Sequence, residues 1–326
     1  MFSGWGTVLL LLIHWSLRRG NVKIAIFGAG ALGGYFGGRL LEVGYEVSFI
    51  ARGAHLEALQ QNGLKIESPL GNAHLSPVRA TTDPAELGPV DLVLFLVKAY
   101  DTDVAARALG PLLGPDTVVV SFQNGVDSRE RIGQVIGIER VLGGVAYIFA
   151  DVRAPGVVRH NGSLARLVFG EFDGSRARPA VALEEALTAA GVEAELVDDI
   201  DVRIWEKFVL ISALSGVTTL TRLSIGEVLS DSYCAELFRD ALTETAGVGL
   251  KKCPGLSDDI AERQMSFARS LPHGMRASML DDLERSKRIE LDYLSGAVVR
   301  LGATLGVETP VHATVYRALH PYLDGG

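Results

Sequence analysis

Val22-Lys23-Ile24-Ala25-Ile26-Phe27-Gly28-Ala29-Gly30-Ala31-Leu32-Gly33 is the stretch on which the fold turns. Its first six residues are largely apolar and β-branched, the pattern of a strand buried in a parallel sheet. The next six form a G-x-G-x-x-G. The first glycine of such a motif allows a tight turn, the second lets backbone approach a pyrophosphate, and the third lets a helix pack closely on its strand. Ala31 to Val43 then reads as a helix and Glu46 to Ala51 as a second strand, which completes a βαβ unit. An ordinary glycine turn is the bland alternative. The strand before and the helix after favour a dinucleotide loop, because a helix N-terminus favours an anion. Gly28, Ala29, Gly30, Ala31, Leu32 and Gly33 are therefore candidate cofactor-binding residues.

Working outward, Asp91 to Val97 and Thr117 to Gln123 are further buried strand patterns, with a helical stretch over Val104 to Leu113 between them. Such alternation predicts a doubly wound parallel sheet. From Val141 to Phe172 the pattern changes to short strand-like pieces, such as Gly156 to His160 and Arg166 to Phe172, which suit antiparallel extensions of that sheet. A helix near Pro179 to Ala190 and a strand over Val192 to Val197 follow. Beyond Asp198-Asp199 strand signals cease, and Arg203–Leu214, Ser232–Lys251, Ser257–Arg269, Ser286–Leu305 and Pro310–His320 carry helical periodicity. The fold expected is α/β plus all-α: a Rossmann-type domain over residues 22–199 and a helical substrate and catalytic domain over 200–326. With no low-complexity linker, close packing over a cleft is expected.

The length of 326 residues suits two domains. Charged residues are 21% and the apolar set 48%, a globular composition. A net charge of −8 with no basic run beyond residue pairs argues against nucleic acid. Cys234 and Cys253 lack metal-ligand spacing, as do the seven histidines, so no metal site is expected and the thiols read as reduced and cytoplasmic. Phe2 to Leu17 is mostly apolar but broken by His14 and Ser16, short of the ~20 residues of a spanning helix. Arg18-Arg19 follow this stretch rather than precede it, the reverse of a signal peptide. A membrane or export signal is the weaker reading. Residues 1–21 are expected to be a leader outside the fold, with Val22 as the working start and no membrane partner.

Five further positions carry chemistry. Where an acid would hold a ribose 2′-hydroxyl at the end of the second strand, this chain has Ala51-Arg52, and Glu46 lies at the wrong end. Arg52 suits a 2′-phosphate, which favours NADPH over NADH; a solvated loop charge is the alternative. Lys98 and Asn124 directly follow buried strands, at the ends that face a ligand crevice in open parallel sheets. Their bland readings are a strand-end cation and an Asn-Gly turn. Lys207 shares a helical face with Ile204, Ile211 and Leu214, where an ammonium has a lowered pKa and can donate a proton near neutrality. Snorkelling to the helix edge is the alternative. Glu290 reads as a helical carboxylate that either pairs with Lys287 or faces Lys207, orients it and accepts a substrate hydroxyl.

These residues together resemble the ketopantoate reductase family. The likeness runs in order through K-I-A-I-F-G-A-G-A-L-G, L-V-K-A-Y around Lys98, Q-N-G around Asn124, R-I-W-E-K around Lys207, and S-M-L-D-D and R-I-E-L-D-Y-L-S-G around Ser278 and Glu290. It implies an NADPH-dependent reduction of 2-dehydropantoate to pantoate in pantothenate biosynthesis. Lys207 would be the general acid, Glu290 would bind the substrate hydroxyl, Ser278 would contact substrate, and Lys98 and Asn124 would border the nicotinamide. The chain departs from the family where Ile211, Ser215, Met275 and Ile225 replace asparagines, so the substrate-facing positions Ile211 and Ser215 are less polar. A buried polar group without a partner costs ~1–3 kcal/mol, which leaves room for a more apolar 2-oxo acid. A third reading is a non-catalytic NADP(H)-binding sensor. Besides the small acid, a second copy of the chain is a candidate partner, though the sequence does not reveal the oligomeric state. Ser278 and Glu290 are twelve residues apart, roughly 18 Å along an unbroken helix, so the chain must break between them to bring both to one small acid.

Overall fold

Strand β1 (Lys23–Phe27) is buried at four of its five positions, and it centres a parallel sheet in a computed structural model that describes residues 22–325. The leader expected over residues 1–21 lies outside the described residues. Two compact units emerge. One comprises residues 22–97, 101–123 and 129–198; the other comprises Lys98–Tyr100, Asn124–Ser128 and the chain from Asp199 onward.

In the first unit β1 is flanked by β2 (Glu46–Ile50) and β6 (Val90–Phe95), both parallel to it. Short β5 (Arg79–Thr81) pairs with β2, while β7 (Leu113–Ser121) and β8 (Val141–Ala154) continue the parallel set beyond β6. The order β5-β2-β1-β6-β7-β8 is the doubly wound arrangement that the alternation predicts. Helix α1 (Ala31–Glu42) supplies the first crossover, and α2 (Gly53–Asn62) follows β2. Ile24, Ile26, Phe36, Leu40, Phe49, Leu92 and Leu94 share one buried core, as one face of the sheet and the inner face of α1 require.

The strand-like pieces expected after Val141 are in fact two 14-residue strands, β8 and β9 (Val157–Gly170), paired antiparallel. Register shifts between Ile148 and Ala150 and between Val152 and Ala154 absorb the irregular residues that made them look fragmented. Strands β3 (Leu64–Glu67) and β10 (Glu193–Leu196) join β9, and β4 (Ala73–Leu75) caps β3. The stretch expected as one helix, Val104 to Leu113, is the short α3 (Thr102–Arg107) and a 3-10 turn at Gly110–Leu112, where Pro111 forbids continuation. Helices α4 (Ser128–Ile136) and α5 (Arg178–Ala189) complete the set.

The second unit is helical. Helix α6 (Ile200–Thr221) runs 22 residues and stops where Arg222 turns left-handed at φ 63°. A capping box between Ser224 and Glu227 starts α7 (Ile225–Ser230), and Asp231 caps α8 (Ser232–Lys252) by accepting from the Cys234 amide. After α9 (Ile260–Ser270) and α10 (Ser278–Glu284) comes a departure from the sequence reading. Ser286 to Leu305 is not one helix: only α11 (Ser295–Leu305) is regular, preceded by a single 3-10 turn at Leu291–Tyr293. The backbone amides in the gap find partners elsewhere. Lys287 N donates to Asp282 O at 2.8 Å and Ile289 N to Leu323 O at 3.0 Å, while Ser286 sits at φ 50°. Helix α12 (Pro310–Leu319) closes the unit, and its first amides donate to Glu244. Among the described residues, no helix is long and apolar enough to cross a membrane.

Candidate active site

The glycine motif sits where β1 ends and α1 begins. Gly28 has φ 107°, and a Cβ there would lie 2.8 Å from the Leu96 carbonyl carbon and the Val97 nitrogen. At Gly33 a Cβ would lie 2.1 Å from the Gly28 carbonyl oxygen and 2.8 Å from Ile26 Cγ2, so helix and strand approach only because that position has no side chain. Space is open around Gly30, which precedes α1 in extended geometry. The opening amides of the helix, around Ala31, Leu32 and Gly33, have no intrahelical acceptor. With Ala29 buried below them, these residues fit a dinucleotide pyrophosphate.

Arg52 directly follows β2 and Ala51, at the N-cap of α2, with its side chain 80% exposed and ion-paired to Asp101. Glu46 opens β2 at the opposite end and faces Arg79 at 4.0 Å. The acid that could have taken the second-strand position is therefore absent from it, while Asp101, unremarked in the sequence, meets the arginine.

Lys98 and Asn124 fold with the helical unit. Lys98 is no strand-end cation in free solvent: its Nζ donates to Asp282 Oδ2 at 2.7 Å and to Glu290 Oε2 at 3.3 Å. Glu290 is buried, and its second oxygen, Oε1, accepts the Ala99 backbone N–H at 2.8 Å. Its observed partners are thus Lys98 and Ala99, while Lys287, the local partner that helical spacing offered, is exposed on the loop. Burial works against the Lys98 ammonium, but Glu290 and Asp282 outweigh it and hold its pKa above the ordinary lysine value.

Lys207 lies in the second turn of α6, half-buried, and its Nζ donates to Asn124 Oδ1 at 2.9 Å. The Asn-Gly turn is also real, since Gly125 sits at φ 107°; it turns the chain while the Asn124 side chain holds the lysine. Burial lowers the Lys207 pKa from 10.5 to about 8, and the Glu290 charge limits the fall. One carboxylate thus acts on two ammonium groups, one kept charged and one poised to lose its proton near neutrality.

The remaining residues are more dispersed. Ile211, one turn after Lys207, is half-buried, and Ser215, a turn further, is buried. Ile225 is buried and donates its backbone N–H to the carbonyl of half-buried Met275 at 2.9 Å; both pack on the same helical core as Ile211. Ser278 opens α10 with its side chain exposed, and the chain does break between it and Glu290. Asp282 was overlooked in the sequence. Its spacing of four from Ser278 puts both on one face of α10, and that was the available signal.

Family models for ketopantoate reductase PanE/ApbA match residues 24–174, and for its C-terminal part residues 199–323. The chain belongs to the ketopantoate reductase family. It is an oxidoreductase of this NAD(P)-dependent family. A 2-dehydropantoate 2-reductase of Mesorhizobium japonicum is 35% identical over 311 residues, covering 89% of this chain and 94% of the relative. The oxidoreductase YkpB of Bacillus subtilis is 32% identical over 303 residues, covering 92% and 99%. A PanE/ApbA family ketopantoate reductase from Ralstonia eutropha superposes with a TM-score of 0.85 at 32% identity, covering 92% of this chain and 98% of that one. A D-mandelate dehydrogenase bound to NADH and anilino(oxo)acetate is similar at a TM-score of 0.83 and 25% identity, covering 92% and 98%.

Proposed function

We propose that the chain is an NADPH-dependent reductase of 2-oxo acids, with 2-dehydropantoate as the first substrate and pantoate as its product, acting in the cytoplasm in pantothenate biosynthesis. The observation that carries this reading is the half-buried Lys207 ammonium, fixed by Asn124 and within the field of Glu290. The loop from Gly28 to Gly33 would hold the pyrophosphate and Arg52 the 2′-phosphate; bound there, NADPH supplies the hydride that reduces C2. Lys207 donates a proton to the carbonyl oxygen as C2 is reduced, so the C=O bond becomes an alcohol. Glu290, held by the Lys98 ammonium and the Ala99 N–H, accepts the substrate hydroxyl, while Asn124 keeps the Lys207 ammonium aimed. The bipartite division at residues 199 and 200 follows the same assignment of roles, with cofactor held by the sheet and chemistry by the helices.

A second reading, a more apolar 2-oxo acid, is favoured by Ile211 and Met275, which are half-buried and apolar on the core that carries Lys207. The likeness to a D-mandelate dehydrogenase that binds anilino(oxo)acetate points the same way. Initial rates of NADPH oxidation with 2-dehydropantoate and a panel of larger aliphatic and aromatic 2-oxo acids separate the two by the ratio of kcat/KM. NADPH binding with no turnover of any acid refutes both and leaves a cofactor-binding sensor, whereas full activity in Lys207→Ala refutes Lys207 as the proton donor.

A further inference from the structure

The ammonium of Lys98 is shared unequally between two carboxylates: Asp282 holds it at 2.7 Å and Glu290 at 3.3 Å. Both acids are largely withdrawn from solvent, at 17% and 8% side-chain exposure, whereas Lys98 retains 39%. We propose that Asp282 is a positioning residue that draws Lys98 away from full pairing with Glu290, so that the Glu290 carboxylate stays available to Lys207 and to a substrate hydroxyl.

The argument is one of competition. An ammonium beside one buried carboxylate closes on it and cancels its charge; beside two it divides, and the shorter contact takes the larger share. Asp282 is well placed to compete because it lies near the end of α10, and its own carbonyl accepts the Lys287 amide at 2.8 Å where the chain turns toward Glu290. Its side chain therefore holds Lys98, while its main chain holds the start of the segment that leads to Glu290. Tyr100 also acts on Lys98, in the same direction as the two carboxylates, and arginines of the same unit are engaged with other partners. Arg288 lies 4.6 Å over the Tyr100 ring and 3.3 Å from Asp324, Arg263 pairs with Glu206 at 3.2 Å, and Arg276 pairs with Asp281 and Glu284. Without the Asp282 charge, Lys98 would close on Glu290, the negative field at Lys207 would weaken, and the Lys207 ammonium would lose its proton at lower pH.

The inference rests on the reductase reading for its catalytic part, and the test has an arm independent of turnover. In the full-length protein, competitive labelling by acetic anhydride with peptide mass spectrometry reports the fraction of Lys98 that is neutral at alkaline pH. Asp282→Asn, which keeps shape and main chain, should raise Lys98 labelling about tenfold for each unit by which its pKa drops, and Asp282→Glu should restore it. In turnover, Asp282→Asn should move the alkaline limb of kcat/KM to lower pH and raise KM more than it lowers kcat. Unchanged Lys98 labelling, labelling that rises while the limb stays in place, or a loss of rate uniform across pH each overturns the proposal. If the unsubstituted enzyme turns over no oxo acid, the reductase reading fails alone, because labelling still decides whether Asp282 governs Lys98.

Discussion

The sharpest consequence of the site concerns the pH at which proton donation fails. Burial brings the Lys207 pKa down to about 8, from 10.5 for an ordinary lysine. At about pH 9 such a group is roughly one-eleventh protonated, whereas an ordinary lysine would be almost fully so. If the ammonium is the general acid, kcat/KM for the oxo acid should fall about tenfold for each pH unit above the limb. Lys98 does not confuse the assignment, since its two carboxylates keep it charged through this range, and Cys253 titrates only near 11. The sign of the Glu290 effect follows: its charge raises the Lys207 pKa, so Glu290→Gln should move the limb to lower pH while also weakening hydroxyl binding. An anionic substrate adds negative charge beside Lys207, so the limb in kcat, which reports the bound state, should lie above that in kcat/KM, which reports the free enzyme. Initial rates of NADPH oxidation in overlapping buffers at constant ionic strength provide the profile. A flat profile to about pH 10, or a limb that moves upward in Glu290→Gln, would refute Lys207 as the proton donor.

Three other outcomes test separate parts of the molecule. Gly33→Ala forces a Cβ to within 2.1 Å of the Gly28 carbonyl oxygen, so NADPH affinity in a fluorescence titration should collapse, with overpacking costing about 1–3 kcal/mol of stability. Arg52→Ala should raise the KM for NADPH far more than that for NADH; its melting temperature should barely change, because an exposed pair with Asp101 contributes little. Equal loss with both cofactors would remove Arg52 from the 2′-phosphate. Fully buried His312 bonds Thr245 at 2.9 Å and Ser295 at 3.2 Å, and burial lowers its pKa from 6.5 to about 4. Its neutral form favours the fold above the unfolded pKa, and this stability is lost as pH falls from 6.5 toward 4, on the order of 3 kcal/mol in total. Urea midpoints between those pH values should therefore fall less steeply in His312→Asn than in the unsubstituted protein.

What the sequence could and could not disclose follows from the range of each interaction. The glycine motif and the parallel strands are legible because their causes are local: a steric need at Gly33, and apolar runs buried at consecutive positions in β1 and β6. The gap from Ser286 to Glu290 is illegible because periodicity counts residue types, whereas the amides there are satisfied by Asp282 and Leu323. Glu290 itself is drawn to the Ala99 N–H, 191 residues earlier in the chain. Lys98 and Asn124 could be found as strand-end residues, but nothing local says that one meets Asp282 and the other Lys207. Asp282 lies in an acidic helix, where Asp281 and Glu284 pair with Arg276. Residue type alone cannot separate these acids. Asp282 differs because its turn of α10 directs it at a lysine that already has a partner, and that shared ammonium is what converts a surface-type residue into a candidate part of the machinery.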